Sequence, residues 1–496
     1  MSEASRKNQT ALKQLTGNEA LCVELATKRI GVITPELSGV VSAAVLTEAL
    51  AEMLGRLWNN LDVRGPYSKI FVETAIAAAN SGKQTINAND NWSPPYDFLI
   101  SIGTKIPDRS PGIQVGANGW EVSIGEYGEI GRDPNPVGPF AAACLASAQL
   151  FRSLFASALK IDAAVPREYH WSAWYRGTGA PPPHSYSELK FVDTNFFGNG
   201  TVTHALMWIL QRWPGNVEGE ISLIDHDKYD QSNGQRYIGM RDSDVTAYKT
   251  KTLSNRLIAS KSKLSISTFD KDMNNYFASV RPNCKMNIAV AGLDSIEDRR
   301  QLQLKLPHTI VNMWTSQDAL GSSRYKFDGN WPCMFCVHPL DTSGKLDEVG
   351  EFYEQTRIDD IFLPWRIREL FLLGTPLDER EASAICQKFG LEKSSVLGRP
   401  LRTVRALLCA TTKISLPNSI SEADVPLVFA GGLSGLAGFV ELTRELLGFR
   451  SDAGFWQSSI LRNPTEHDWI ERSRLRSCYL CSDPSLPNIM TTKYGS

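Results

Sequence analysis

Between Ile221 and Lys249 the chain reads ISLIDHDKYDQSNGQRYIGMRDSDVTAYK, and this stretch holds the residues best suited to chemistry. An apolar run, Ile221 to Ile224, ends in the acidic pair Asp225 and Asp227. A short apolar run ending in an acid is the pattern of a buried parallel strand whose carboxyl end turns a carboxylate toward a nucleotide ribose. Beyond it come Ser232 and Asn233, then Gln235 and Arg236, with Lys249 thirteen residues after that arginine. Amide donors and fixed cations of this kind suit phosphate oxygens. The plainer reading of the same residues is an acidic strand exit followed by a polar loop.

The elements that would position these groups lie on either side. Upstream, Glu188 to Phe197 leads into GNGTVTHALMWIL, a strand, a glycine loop and a helix. Backbone amides at such a helix N-terminus hold phosphate. Gly198 and Gly200 keep two glycines of the dinucleotide-type loop, and Thr201 follows where many such loops have a third. Asp225, 25 residues after Gly200, strengthens the signal. His204, inside the helix, reads as a packed or surface residue. Downstream, Met286 to Asp294 (MNIAVAGLD) is another strand ending in an acid, and SIEDRRQLQ then opens a helix. Asp294 can hold Mg²⁺ or shape the phosphate site; the alternative is a helix N-cap, which Asp or Ser supplies.

Four of the nine cysteines form two C-x-x-C pairs, Cys333 with Cys336 and Cys478 with Cys481. They make a tetrahedral thiolate zinc site if the fold brings them together, and such a site is structural because four thiolates leave no open position. A redox role is the alternative for either pair alone. Cys144, on a small-residue helix, reads as a core residue. The start MSEASRKNQTALKQ lacks an apolar signal core, so the expectation is a reducing cytoplasm with a metal rather than disulfides.

At 496 residues the chain can form two or three domains, each with its own core. A net charge of −2 and a pI near 6.4 argue against nucleic acid as a partner. The most apolar segment, Phe140 to Leu159, contains Gln149 and Arg152 and so fits a buried helix better than a membrane span. Strands are expected at Arg29–Thr34, Tyr96–Gly103, Ile113–Gly116 and Trp120–Ile124, with helices at Val40–Trp58 and from near Pro139. The first ~180 residues therefore read as α/β without nucleotide chemistry. The Gly/Pro-rich run Arg176–Ser187 is the best domain boundary. His308–Trp314 reads as a further strand, Asp359–Ala410 as mainly helical, and Val425–Leu447 as a long glycine-interrupted helix. No internal repeat of 20–50 residues is visible.

The glycine loop, D-x-D, S-N-x-Q-R, the lysine thirteen on, a later strand-end aspartate with arginine after it, and two C-x-x-C pairs occur here in one fixed order. That order resembles the ubiquitin-activating and sulfur-carrier adenylyltransferase superfamily, over Phe197 to about Leu447 plus the terminal cysteines. The resemblance implies an ATP site in which Asp225 binds ribose while Asn233, Arg236 and Lys249 contact phosphate. Gly198, Gly200, Asp227 and Gln235 would complete it, and Asp294 would lie near Mg²⁺. It also makes Cys333, Cys336, Cys478 and Cys481 the ligands of Zn²⁺. Thr201 and Thr203 replace glycines of the family's G-x-G-G-x-G, as polar groups that can still contact phosphate. The fold implied is α/β, with two Rossmann-like adenylation-type domains in one chain. Residues 1–180 would be the degenerate one and 181–340 the active one. Residues 341–424 would be a mainly helical insertion, and 425–496 the return of the adenylation domain with a zinc-stapled C-terminus.

The layout is similar to activating enzymes of bacterial ubiquitin-like conjugation operons linked to antiviral defence. The activity implied is adenylation of the C-terminal carboxylate of a ubiquitin-like protein, then a cysteine thioester and transfer to a conjugating enzyme. The family places its nucleophile between the first C-x-x-C and the long helix, where this chain has Cys386 and Cys409. Cys386 lies in an apolar-periodic helix. Cys409 is followed by Ala410, Thr411, Thr412 and Lys413 and is the expected thioester residue. Adenylation of a sulfur carrier or peptide without a thioester, and a non-catalytic zinc-stapled scaffold, are the alternatives. No nucleic-acid or membrane partner is expected, and a homodimer is left open.

Overall fold

The computed structural model describes residues 3–338, apart from 37–38, 79–84, 89–94, 107–110, 126–127, 165–167, 175–180, 281–283, 317 and 327–331. It also describes scattered positions between 352 and 408, and residues 426–495 apart from 450–453, 463–466, 472, 476–477, 479 and 482–484. The chain divides into two compact units, Met1–His338 with Val425–Ser496, and Pro339–Asp424.

The first unit is built on two sheets. Strands β1 (Arg29–Ile33), β2 (Asn60–Arg64), β3 (Thr85–Ala88), β4 (Phe98–Ile102), β5 (Gly112–Asn118), β6 (Glu121–Gly125) and β7 (Glu168–Ser172) form one, in the order β3-β2-β1-β4-β5-β6-β7. The other comprises β8 (Leu189–Phe197), β9 (Val217–Ile224), β10 (Leu264–Phe269), β11 (Ile288–Ala291), β12 (Thr309–Thr315), β13 (Ala319–Lys326), β14 (Gly454–Ser459) and β15 (His467–Glu471). Its order is β10-β9-β8-β11-β12-β13-β14-β15. In each sheet the first five strands of that order run parallel and the rest antiparallel. The central strands β4 (FLISI) and β11 (IAVA) are buried throughout, as parallel strands covered on both faces require.

One architecture therefore occurs twice. The helix Val41–Leu57 follows β1 as Thr201–Arg212 follows β8; Val137–Leu159 follows β6, and Val428–Leu446 comes after β13 once the helices Met334–Val337 and Glu379–Phe389 have intervened. This is the expected α/β pair of Rossmann-like domains, drawn into a single compact unit with one core cluster that runs through both. The duplication is invisible as a residue repeat because burial pattern, not residue identity, builds such sheets.

The register also sets the two copies apart at the first strand exit. Ile33 pairs with Arg64 as Phe197 pairs with Ile224, so Gly65 stands where the second copy has Asp225. The amide that follows each first strand confirms the match: Thr34 N–H donates to Arg64 O (2.9 Å) as Gly198 N–H donates to Ile224 O (3.1 Å). Gly65 adopts φ +102°, and a Cβ there would run into the Thr34 hydroxyl. That hydroxyl donates to Arg64 O (3.1 Å) and accepts from the Tyr67 N–H (3.2 Å). A threonine fills the space that a ribose-binding carboxylate would need.

Helix packing brings the copies together. A Cβ on Gly435 would strike the Val202 carbonyl, and one on Gly431 the Thr201 hydroxyl, so the Val428–Leu446 helix lies backbone-close to Thr201–Arg212. The small residues that interrupt this helix in the sequence are thus its contact face. Val137–Leu159 is the one helix among the described residues long and apolar enough to cross a membrane, and it is packed in the core. Its Arg152 donates to Ile460 O (3.3 Å), Arg462 O and Gln149 Oε1.

The second unit has its own core, including Phe352, Ile367, Leu370, Phe371, Ile385 and Val404. Its helix Glu379–Phe389 starts at a capping box between Asp378 and Glu381 and stops at Gly390, which is left-handed. Cys386 is half-buried on this helix and packs against that core. Cys409 lies outside the described residues.

Candidate active site

The site forms where β8, β9 and β11 end. Gly198 turns the chain at φ +80°, and a Cβ there would approach the Gly292 carbonyl oxygen to 2.6 Å, so the glycine loop rests on the exit of β11. Gly200 is the N-cap of Thr201–Arg212 and brings no side-chain cap, which leaves the first-turn amides as free donors. The two threonines hold the loop itself. Thr203 Oγ1 donates to Gly198 O (2.7 Å), and Thr201 Oγ1 donates to Arg236 O (2.8 Å).

Asp225 is buried at the end of β9. Its Oδ2 accepts the Asn199 N–H (2.6 Å) and its Oδ1 the Asp227 N–H (2.8 Å). Two backbone amides fix the carboxylate while each oxygen keeps a further lone pair for a hydroxyl. Burial raises its pKa; Lys249 opposes that shift, and neighbouring Asp227 adds to it.

Lys249 opens the helix Lys249–Ser260 and places Nζ 2.8 Å from Asp227 Oδ2. Burial disfavours its charge, but Tyr237, Asp225 and Asp227 outweigh burial and hold its pKa well above the usual lysine value. The ring of Tyr237 stands 5.4 Å from both Lys249 Nζ and Arg236 Cζ. Arg236 itself is half-buried, and its guanidinium has no hydrogen bond or carboxylate partner among the described residues. Asp225, His226 and Asp227 lie close enough to share an ion, but the Lys249 ammonium already neutralises Asp227.

Asn233 and Gln235 are used by the protein. Asn233 Oδ1 accepts the Asp230 N–H (3.1 Å) within the capping box of the Gln231–Gln235 turn. Gln235 Nε2 donates to Pro426 O (3.3 Å), and its Oε1 is buried without a partner. The two readings of Asp294 separate here: Ser295 Oγ caps the helix Ile296–Leu304 by accepting the Asp298 N–H (2.9 Å). Asp294 is left exposed with no partner among the described residues, an oxygen donor of the kind Mg²⁺ takes.

Two participants were not singled out from the sequence. Asn199, between the glycines, is fully buried, and neither amide atom has a hydrogen-bond partner among the described residues. Tyr229 donates its hydroxyl to His204 Nε2 (2.6 Å), while His204 Nδ1 faces Gly200 O (2.9 Å) and so carries the proton. Burial lowers the His204 pKa to about 3 and keeps the ring neutral. His204 thus ties the loop after β9 to the glycine loop.

At the C-terminal end, Cys333, Cys336, Cys478 and Cys481 converge in a buried cluster. Cys333 Sγ lies 3.9 Å from Cys336 Sγ and 3.6 Å from Cys478 Sγ, and Cys336 Sγ lies 3.7 Å from Cys481 Sγ. A tetrahedral zinc with Zn–S bonds of about 2.3 Å needs sulfurs about 3.8 Å apart, so the donor set fits. The Leu475 N–H points at Cys336 Sγ (3.4 Å), a contact that favours the thiolate.

Among solved structures, E. coli MccB with MccA-N7isoASN is 13% identical to this chain, with a TM-score of 0.39 over 60% of this chain and 68% of that one. E. coli MccB with ATP gives 13% identity and a TM-score of 0.39 over 75% and 98%. The uncharacterized protein y4jF of Sinorhizobium fredii (strain NBRC 101917 / NGR234) is 25% identical over 411 residues, 80% of this chain and 78% of its own. Residues 194–434, from the end of β8 to the glycine-rich helix, match the ThiF family.

Proposed function

We propose that this chain is an ATP-dependent adenylyltransferase that activates the C-terminal carboxylate of a ubiquitin-like protein. The ThiF-family domain supports adenylation of a substrate. The single observation that carries the reading is the cradle at the ends of β8 and β9, where an amide-fixed Asp225 and a buried Lys249 flank uncapped helix amides. In this reading Asp225 receives the ribose hydroxyls. The first-turn amides of Thr201–Arg212, Lys249 and the unpaired Arg236 take the phosphates.

The substrate carboxylate attacks the α-phosphorus, the bond to the bridging oxygen breaks, and pyrophosphate leaves with the negative charge. This needs alignment and charge neutralisation rather than a protein nucleophile. Mg²⁺ held by Asp294 would add neutralisation at the phosphates. The zinc site is structural and holds the Cys333 and Cys478 segments together.

A cysteine thiolate would next attack the acyl-adenylate carbonyl and expel AMP, and the resulting thioester would pass to a conjugating enzyme, as in bacterial ubiquitin-like conjugation systems. Cys409 is the proposed nucleophile. A second reading, adenylation of a sulfur carrier or peptide without a thioester, draws on the packing of Cys386 against its core.

The test is ATP–pyrophosphate exchange with candidate ubiquitin-like proteins encoded beside this one. Arg236→Ala and Asp294→Ala should each lower exchange by about 10²–10³-fold, the usual loss for one charge-stabilising group. Unchanged exchange in both would overturn the site. A thiol-sensitive adduct on a non-reducing gel that disappears in Cys409→Ala supports the thioester. Exchange without an adduct selects the second reading.

A further inference from the structure

We propose that Glu52 and Arg56, on the Val41–Leu57 helix of the degenerate copy, are positioning residues that hold the arch 234–241 of the active copy and with it Arg236; this rests on the nucleotide site described above. Both side chains are essentially unexposed. Glu52 Oε2 accepts from Arg56 Nη2 (2.8 Å) and from the Gly239 N–H (3.0 Å), and Oε1 accepts from Arg241 Nη2. Arg56 Nη1 donates to Gly234 O (2.5 Å), and Nη2 to Met240 O (3.0 Å). Gly234 lies at one end of the arch, and Gly239, Met240 and Arg241 at the other. Arg236 and Tyr237 lie between.

A buried ion pair is a poor device for stability alone, because apolar groups of the same volume do as well or better. What apolar side chains cannot do is bond backbone groups. This pair satisfies four of them, three on one loop belonging to the other copy and one, Ala78 O at 3.4 Å from Arg56 Nη1, in its own. Among the described residues the Arg236 guanidinium meets only the ring of Tyr237, which is itself on the arch, so its place is set by the arch backbone. That backbone is held by Thr201 at the middle and by the Glu52–Arg56 clamp at both ends. A charged donor displaced by an ångström loses most of its effect on a reacting phosphate. The degenerate copy would thus act on the chemistry while touching no substrate.

The experiment is a mutant cycle read by Mg·ATP affinity on the full chain, with hydrogen–deuterium exchange of the arch amides alongside. The clamp variant is Glu52→Leu with Arg56→Met, which leaves no buried charge of the pair alone; it is combined with Arg236→Ala. The clamp variant and Arg236→Ala should each weaken Mg·ATP at least about tenfold, the loss of one charged hydrogen bond. Together they should do no more than Arg236→Ala alone, since coupled residues are non-additive. Arch amides should exchange faster in the clamp variant. Wild-type affinity in the clamp variant, or effects that multiply, would overturn the proposal. If the clamp variant does not fold, Arg56→Lys, which keeps a cation beside Glu52 but cannot reach both Gly234 O and Met240 O, takes its place with the same two criteria. If the wild-type chain binds no Mg·ATP, the nucleotide reading fails, and unchanged arch exchange would still overturn the clamp.

Discussion

Replacing Lys249 by methionine separates a ligand-binding cation from a structural one. The Lys249 side chain is 6% exposed, while that of its partner Asp227 is 44% exposed. Removing one member of a fully buried pair costs about 3–5 kcal/mol because the other charge is stranded. Asp227 is not stranded: nearly half open to water, it rehydrates, and the loss falls toward the 0–1 kcal/mol of exposed pairs. The methionine stem keeps most of the packing and has no ammonium to desolvate. Buried Asp225 also loses the cation that opposes its raised pKa, but it keeps two backbone amide donors and can take up a proton, so folding stability should change by about 1–2 kcal/mol, short of a stranded buried charge. Nucleotide binding should respond differently, since a charged hydrogen bond to phosphate contributes about 1.5–3 kcal/mol, or roughly 10–150-fold in Kd.

The assay is calorimetric titration with Mg·ATP beside urea unfolding of the same preparations. A Kd that does not move would refute the phosphate role. A stability loss of about 3–5 kcal/mol would show instead that Lys249 serves the fold, and that the exposure of Asp227 does not relieve it.

Two further outcomes follow from the geometry. Elemental analysis of protein prepared without chelator should find one zinc per chain, and Cys478→Ser should release it and lower the melting temperature. The loss should be smaller than the ~10 kcal/mol typical of zinc-finger peptides, because a large core remains. The second concerns pH and His204, which is held neutral in the fold with a pKa near 3. The unfolded chain, with an ordinary histidine pKa of about 6.5, binds the proton that the folded one refuses. Its stability contribution is thus complete above pH ~6.5 and is lost as pH falls toward 3, by about 1.4 kcal/mol per pH unit. Urea midpoints at pH 7, 6 and 5 should fall in the wild type more steeply than in His204→Gln, and equal slopes would refute it.

The legible part of the fold was the part with long apolar runs. Strands at 29–33, 98–102 and 309–315 stand out because parallel strands buried on both faces are largely apolar. The missed ones differ physically. Asn60–Arg64 reads NLDVR, with Asp62 bound to Arg29 (2.7 Å). Ala319–Lys326 reads ALGSSRYK, yet is buried for most of its length, its Arg324 paired with Glu445 at 2.9 Å. A charge neutralised by a partner 121 residues away looks like a surface residue to any local pattern. The duplication of the sheet was expected from the family resemblance and not from any residue repeat, since Gly65 matches Asp225 only through strand register.

The candidate site divides along the same line. Asp225 was legible as a strand exit, which is a local event, whereas Lys249 was marked only by its spacing from Arg236 and its place at a helix start was not. Cys333 and Cys478 were legible because thiols at that spacing have few other uses. The threonines of the glycine loop were legible as departures but not in what they do: Thr201 and Thr203 hold carbonyls of the loop and of Arg236. Asn233 carries a family role in the sequence and a turn-capping role in the fold, and one side chain can serve both because the cap uses only its oxygen. Glu52 and Arg56 were illegible altogether. In the sequence they are an i, i+4 pair on a helix, which ordinarily means a solvated face. Only the packing of two copies of one architecture turns that pair inward, onto a loop nearly two hundred residues on. A site shared between duplicated halves is therefore half written in motifs; the other half is written in the contacts that the duplication creates.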